Sequence, residues 1–412
     1  MPRAPAPLRA LVALLLAWLL AACTGGPDPA REPAPGPAGK SERPSSGGAF
    51  GAPPRIGDGA GLPGWAAGVD FAADGSGFAL LADCVVDPDR PETGFCRQRV
   101  AVLDRGAERW EQRVSPLPEV RGTDGVSAQL WVVGPGRALI EDGGGEEPRR
   151  GWFSADGGRS WRTVDQRPAG RTPDIPAGAA LATECATDPG AVSELCAREH
   201  LVALSPRDGR RRVLVTQPPL GAHPRPAAVA EPDGSWWVSG VEPLTGLAAV
   251  AVSRDAGRSW SVSRLPSPAG APPWYTKVVV GPDAVYAAEM GELKGGEPVK
   301  NPLRALHRSL DGGRTWQRMW TTGPEDEPRS VEGLPVPGPG GRVEIAAQWS
   351  GYRSLDGGRT FRELDDGSAY VRRTAAGLLR EGSRCRYELT RDGVRWSEFR
   401  LACGDDASVG VP

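Results

Sequence analysis

RSLDGGRTW (residues 308–316) and RSLDGGRTF (residues 353–361) differ only in their final aromatic residue. Each centres on an aspartate, Asp311 or Asp356, in a glycine-rich reversal. FSADGGRSW (153–161) and VSRDAGRSW (252–260) repeat the pattern around Asp156 and Asp255. A short carboxylate in a turn accepts N–H bonds from the residues that follow it. Glycine supplies the positive φ of the reversal, and the final Trp or Phe buries a large apolar surface. One active site does not need four copies of its carboxylate, so the motif reads as a device that holds turns together.

Weaker copies surround Asp104, Asp208 and Asp392, giving seven positions spaced by about 36 to 56 residues, the period of four-stranded blades. The intervening sequence fits that unit. RPAAVAEPDGSWWVSGVEP and GLAAVAVSRDAGRSWSVSRLP each read as strand, tight turn, strand. No segment sustains a 3.6-residue apolar period with helix caps, so the chain is expected to be all-β. Seven four-stranded blades of a β-propeller are predicted over residues 64–412, with six or eight as alternatives because three copies are degenerate.

The repeated Ser-x-Asp-x-Gly-x-Ser/Thr-Trp/Phe unit resembles the Asp-box, or BNR repeat, of sialidases and of many non-enzymatic propellers. The resemblance covers roughly residues 64–403. It implies a box on the hairpin between the third and fourth strands of each blade, so that ligands would meet the opposite face. On that face the long loops at 85–95, 141–150, 186–195, 267–275, 291–302 and 323–330 are candidate contacts. Trp274 and Tyr275 are the leading ligand-binding candidates, with Arg149, Arg150, Glu325 and Asp326 as neighbours by blade position. Trp131, Trp236 and Trp237 lie in predicted strands and are expected to pack in the core.

The resemblance also implies an alternative, a sialidase-like exo-glycosidase with a Tyr nucleophile, a partner Glu, an Asp acid/base and three arginines gripping a carboxylate. Arg55 in Pro-Arg-Ile-Gly keeps only part of the family's first arginine motif, and Tyr370 is the one tyrosine placed roughly where a nucleophile would fall. No Gly-x-Ser-x-Gly, His-Glu-x-x-His or phosphate-loop motif is present. The favoured expectation is non-catalytic binding of a protein or glycan, without a cofactor.

At the amino end, Arg3 and Arg9 precede an apolar run over residues 11–20 that is too short for an ordinary membrane span of about 20 residues and suits an export signal. Leu-Ala-Ala-Cys (residues 20–23) resembles the lipobox of bacterial lipoproteins, which implies cleavage after residue 22 and acylation of Cys23. Residues 23–63 are rich in Pro, Gly, Ala and Ser and read as a flexible tether. The expected location is the cell membrane, lipid-anchored and facing the extracytoplasmic side.

Seven cysteines leave six once Cys23 is set aside. Fifteen pairings are open; locality favours Cys84 with Cys96, Cys185 with Cys196, and Cys385 with Cys403. Three scattered histidines and no Cys-x-x-Cys give a metal site no support. A net charge of −2 offers no electrostatic reason for nucleic-acid binding, and a monomer is expected.

Overall fold

The structure, a computed structural model, describes residues 50–85, 89–90, 93–122, 125–142, 150–187, 196–270, 272–365, 369–383 and 385–404. Cys23, the signal and most of the expected tether lie outside these residues. Among the described residues, twenty-nine strands form seven sheets arranged as the blades of a propeller. Blade 1 contains β1 (Trp65–Phe71), β2 (Gly77–Val85), β3 (Phe95–Leu103) and β4 (Glu111–Arg113), with β5 (Val120–Arg121) added on β3. Blade 2 contains β6 (Ala128–Val132), β7 (Ala138–Asp142), β8 (Arg150–Ser154) and β9 (Arg162–Asp165). Blade 3 contains β10 (Arg171–Thr172), β11 (Ala180–Cys185), β12 (Glu199–Leu204) and β13 (Arg211–Leu214).

Blade 4 is built from β14 (Arg225–Pro226), β15 (Trp236–Val241), β16 (Ala248–Ser253) and β17 (Ser261–Arg264). Blade 5 has β18 (Tyr275–Val280), β19 (Val285–Met290), β20 (Leu303–Ser309) and β21 (Gln317–Thr321). Blade 6 has β22 (Val336–Pro337), β23 (Val343–Ala346), β24 (Gly351–Ser354) and β25 (Arg362–Leu364). Blade 7 has β26 (Tyr370–Thr374), β27 (Gly377–Glu381), β28 (Arg386–Thr390) and β29 (Trp396–Arg400).

The four clear aspartate turns each join a third strand to a fourth strand. In blade 5, Asp311 Oδ1 accepts the backbone N–H of Arg314 at 3.0 Å and of Thr315 at 2.9 Å, and Oδ2 accepts the Thr315 hydroxyl at 2.6 Å. The Ser309 hydroxyl donates to Asp311 at 2.8 Å and accepts from Gly313 N at 2.7 Å. Asp156, Asp255 and Asp356 repeat this network. Of the weaker copies, Asp392 keeps most of it, accepting N–H bonds from Val394 and Arg395. Asp208 instead grips Arg212, and Asp104 meets Arg159 of the next blade's turn.

The turns also join blades, which their local sequence does not reveal. Trp161 Nε1 donates to Val114 O, Trp260 Nε1 to Thr216 O and Trp316 Nε1 to Ser263 Oγ, each beside or within the last strand in sequence of the preceding blade. The second turn glycine packs against that same neighbour. Gly313 has φ +86, and a Cβ there would lie 2.2 Å from the Trp237 ring.

Hydrogen bonds from the Ser160 and Ser259 hydroxyls, with backbone N–H bonds, lower Asp156 and Asp255 to about 2. The Thr315 hydroxyl and backbone hold Asp311 well below the usual carboxylate range. A carboxylate depressed on folding stabilises above its unfolded pKa of about 3.9, and that contribution disappears as pH falls through the folded value. Stability is therefore expected to decline between about pH 4 and pH 2. Asp311→Ala, which forfeits the turn bonds, should cost about 1–3 kcal/mol at neutral pH and less in acid. Denaturation midpoints at the two pH values check this; equal losses at both would refute it.

Blades 1 and 7 are each one continuous stretch of chain, so no strand exchange closes the ring. Closure is made by residues 57–60. Asp58 N donates to Glu108 O and Trp110 N to Asp58 O on the blade 1 side. Gly59 N donates to Arg400 O, and Ala402 N to Gly59 O, on the blade 7 side. Ile56 is 5% exposed and joins Phe71, Trp110, Phe399 and Leu401 in the apolar cluster between these blades. Within the stretch read as tether, Ile56 is buried and residues 58–60 bond to blades 1 and 7.

Blade 3 departs from the plan of its neighbours. Elsewhere the first strand in sequence is innermost; here the order is β11, β12, β13, β10, with β10 parallel to β13. Ala169 N donates to Arg211 O, while Val213 N and Val215 N donate to Gly170 O and Thr172 O along the outer edge. The segment QRPAGRTPDIPAG (166–178) carries prolines 168, 173 and 176, which are compatible with a strand at a sheet edge.

All three locally paired disulfides form: Cys84–Cys96, Cys185–Cys196 and Cys385–Cys403. The first two staple second-to-third-strand hairpins, and the third ties the start of β28 to the chain beyond β29.

Candidate functional site

The first strands of the blades surround a central cavity of about 660 Å³. Its wall carries Arg225 from blade 4, Tyr275 and Lys277 from blade 5, and Tyr370, Arg372 and Arg373 from blade 7. Consecutive residues of β18 and β26 line the cavity, among them Arg372 and Arg373.

Two of the three arginines are neutralised. Arg373 pairs with Glu231, which is almost fully buried and also accepts Val280 N at 3.0 Å. Burial pushes the Glu231 carboxyl up to about 7 even with Arg373 opposing it. Arg372 Nε donates to Glu381 at 2.7 Å, and its Nη1 lies 3.9 Å from Asp70. Burial also raises Asp70, against the pull of Arg372 and of N–H bonds from Phe71 and Val132. Arg225 makes no ion pair among the described residues. Lys277, lowered to about 8 by burial, donates to Val331 O at 3.3 Å.

Burial raises Tyr275, as do the nearby Tyr370 and Glu332, while Arg225 lowers it. The channel is therefore a mixed-charge, aromatic-lined tube with cationic groups left over. Among the described residues, no hydrogen bond joins Tyr275 or Tyr370 to a carboxylate.

The end of the ring opposite the aspartate turns carries the most exposed aromatic side chains. Trp349 is 77% exposed on the β23–β24 hairpin, Trp274 60% just before β18, Tyr370 48% at the start of β26, and Trp65 41% at the start of β1. Exposed aliphatic residues such as Leu310 and Leu355 sit in the turns at the other end.

The predicted site residues divide accordingly. Tyr275 and Tyr370 line the channel, and Trp274 stands at its rim. Glu325 and Asp326 follow β21 on the same face, where Asp326 accepts the Gly323 N–H at 3.0 Å. Arg150 opens β8 three blades away, so it is not the neighbour of Trp274 that blade position suggested. Arg149 lies outside the described residues. Arg55 lines a separate groove with Glu108, Arg386 and Arg400, whereas Tyr370 lines the channel. The pair proposed for catalysis is thus not assembled, because residues 54–57 run beside the β1–β2 and β3–β4 turns of blade 1.

Trp236 and Trp237 are buried as expected. Trp131 is partly buried, packing against the apolar cluster between blades 2 and 3 while also lining the channel, as Trp237 does, and its Nε1 donates to Glu141 at 3.0 Å. Arg225, Lys277, Glu231 and Arg373 carry no motif in the sequence; for Lys277 the available signal was a charge in the otherwise largely apolar strand YTKVVV, in a chain with only four lysines.

Fold and site together define a seven-bladed propeller with an aromatic-rimmed central channel. A scan against protein-family models and a search of curated proteins find no match. Solved structures similar to this chain are propellers of low identity. A GH74 xyloglucanase from Xanthomonas campestris is 15% identical, covering 83% of this chain and 74% of its own, with a TM-score of 0.33. The β-propeller domain of the Trilobed protease from Pyrococcus furiosus is 9% identical, covering 84% and 98%, with a TM-score of 0.43. YCF48 from Cyanidioschyzon merolae is 12% identical, covering 82% and 95%, with a TM-score of 0.31.

Proposed function

We propose that this chain is a cell-envelope lipoprotein, anchored through Cys23, whose Asp-box propeller of the sialidase-like superfamily binds a protein or glycan without catalysis. The observation that carries the binding reading is the segregation of exposed Trp65, Trp274, Trp349 and Tyr370 to the face opposite the boxes. Large aromatic surfaces left in water on one face of a rigid scaffold suit ligand contact. Arg372 and Arg373 are paired with Glu381 and Glu231, so among the described channel residues Arg225 alone of the three arginines makes no ion pair.

The test compares full-length protein with a Trp274→Ala/Trp349→Ala variant for retention on immobilised envelope polysaccharide and envelope protein. Retention should fall by about tenfold or more, since aromatic anchors dominate such contacts, with the melting temperature unchanged because both side chains are exposed. Equal retention would refute the reading. Turnover of a fluorogenic sialoside that disappears in Tyr370→Phe would replace it with hydrolysis.

A further inference from the structure

We propose that the central channel is a pocket closed at its aspartate-turn end, and that it takes a small molecule combining a flat apolar body with a carboxylate. This goes beyond the rim contact proposed above, because the site lies within the ring and suits a ligand of another size. Closure comes from the chain's own residues 50–56. Phe50 packs against the apolar cluster that holds Trp237, Val250 and Val280 between blades 4 and 5. Pro54 lies over the β1–β2 turn of blade 1, where a Cβ on Gly75 would meet it at 2.8 Å. Ile56 is buried between blades 1 and 7. These two seams face each other across a seven-bladed ring, and six residue steps of about 3.5 Å are long enough to join them directly. The segment therefore crosses the axis. At the same end Arg373 of blade 7 reaches Glu231 of blade 4, with side chains 7% and 1% exposed. An ion pair spanning an open mouth would be wet; this one is dry.

The cavity of about 660 Å³ has the size of small-molecule sites. Trp131, Tyr275 and Tyr370 line it together with Leu130, Val278 and Leu334, and such walls suit offset or edge-on contact with a flat body. Charge sets the preference. Arg225 is exposed at the open mouth and makes no ion pair among the described residues. Lys277 lies further along β18, with its Nζ 5.9 Å from the Tyr275 ring centre and bonded to Val331 O. Glu332 attracts Lys277, but its oxygens accept Asn301 Nδ2 at 3.2 and 3.1 Å and it makes no ion pair with the lysine. Glu231 and Asp70 are likewise buried and engaged. A ligand carboxylate would complement the two cations, in surroundings where charges attract more strongly than in water.

The test titrates indole-3-acetate and its neutral amide, indole-3-acetamide, into the full chain by calorimetry. The acid is expected to bind at least about tenfold more tightly, since only it carries the charge that meets Arg225 and Lys277. Arg225→Gln and Lys277→Met should each cut that preference by about threefold or more. Arg225 is exposed, so its variant should keep the parent's melting temperature even if the Lys277 variant does not fold. Phe50→Ala loosens the closed end without altering a residue of the cavity wall. By opening a second exit it should speed dissociation of the acid, followed by stopped flow, by about threefold or more.

No binding of the acid at millimolar concentration, equal binding of acid and amide, or a preference that survives intact in Arg225→Gln would overturn the ligand assignment. Dissociation that is unchanged in Phe50→Ala would overturn the closed end. Retention on envelope material that depends on Trp274 and Trp349 is a separate result, and none of these outcomes alters it.

Discussion

Replacing Arg211 with methionine is expected to cost about 3–5 kcal/mol of stability, the usual loss when one partner of a buried ion pair is removed. Arg211 lies at the junction of blades 2 and 3. Its Nη2 is 2.7 Å from Glu141 Oε2 and its Nη1 is 2.7 Å from Glu184 Oε2, with all three side chains no more than 7% exposed. Burial works against the Arg211 charge, but the adjacent Glu141 and Glu184 outweigh it and raise the guanidinium's pKa. Without Arg211, two buried carboxylates would lose the guanidinium that faces both of them.

A variant that also carries Glu141→Leu and Glu184→Leu should recover most of the loss, because apolar replacement of a buried ion triad is often neutral or better. Denaturant midpoints of the two variants decide the matter. A single Arg211→Met variant within about 1 kcal/mol of the parent would show that water or relaxation replaces the ion pairs. The same substitution should loosen Trp131, whose ring nitrogen is held by Glu141, and so disturb the channel wall.

Phe71→Ala is the second large effect, expected at about 3–5 kcal/mol for a fully buried aromatic. Phe71 lies edge-on to Trp110 at 5.8 Å between ring centres and to Phe399 at 5.7 Å, joining blade 1 to blade 7. No strand is shared across this seam, so closure rests on apolar packing, the short ladders of residues 57–60 and a few direct bonds such as Ala375 N to Phe71 O and Arg391 to Ala73 O. Destabilisation should therefore be local before it is global. Hydrogen exchange at Gly59 and Ala402 should accelerate by more than at Ala251 in blade 4. Uniform acceleration would mean that the ring opens only as a whole.

The blades were legible in the sequence because an aspartate turn is closed within a few residues. Asp311 bonds to positions 314 and 315, so the motif carries its own structural explanation. The same locality explains the cysteine pairs, which are separated by 11 to 18 positions. The role of the turn's final tryptophan was only half visible. Its burial could be read, but the partner of Trp316 is Ser263, 53 residues earlier. The candidate site was less legible still. Trp274 and Tyr275 stood out after a proline-rich loop, whereas Arg225 and Lys277 were ordinary charges until neighbouring first strands set them around one cavity.

The sequence by itself determined an all-β repeat, the number of its turns and the structural duty of Asp156, Asp255, Asp311 and Asp356, all of which rest on short-range bonds. The tertiary structure alone decided which charges cancel. Arg211 finds Glu141 across 70 residues, and Arg373 finds Glu231 across 142. It also decided the strand order of blade 3, where Arg171 of β10 pairs with Val213 of β13, a contact between distant positions that no local motif records.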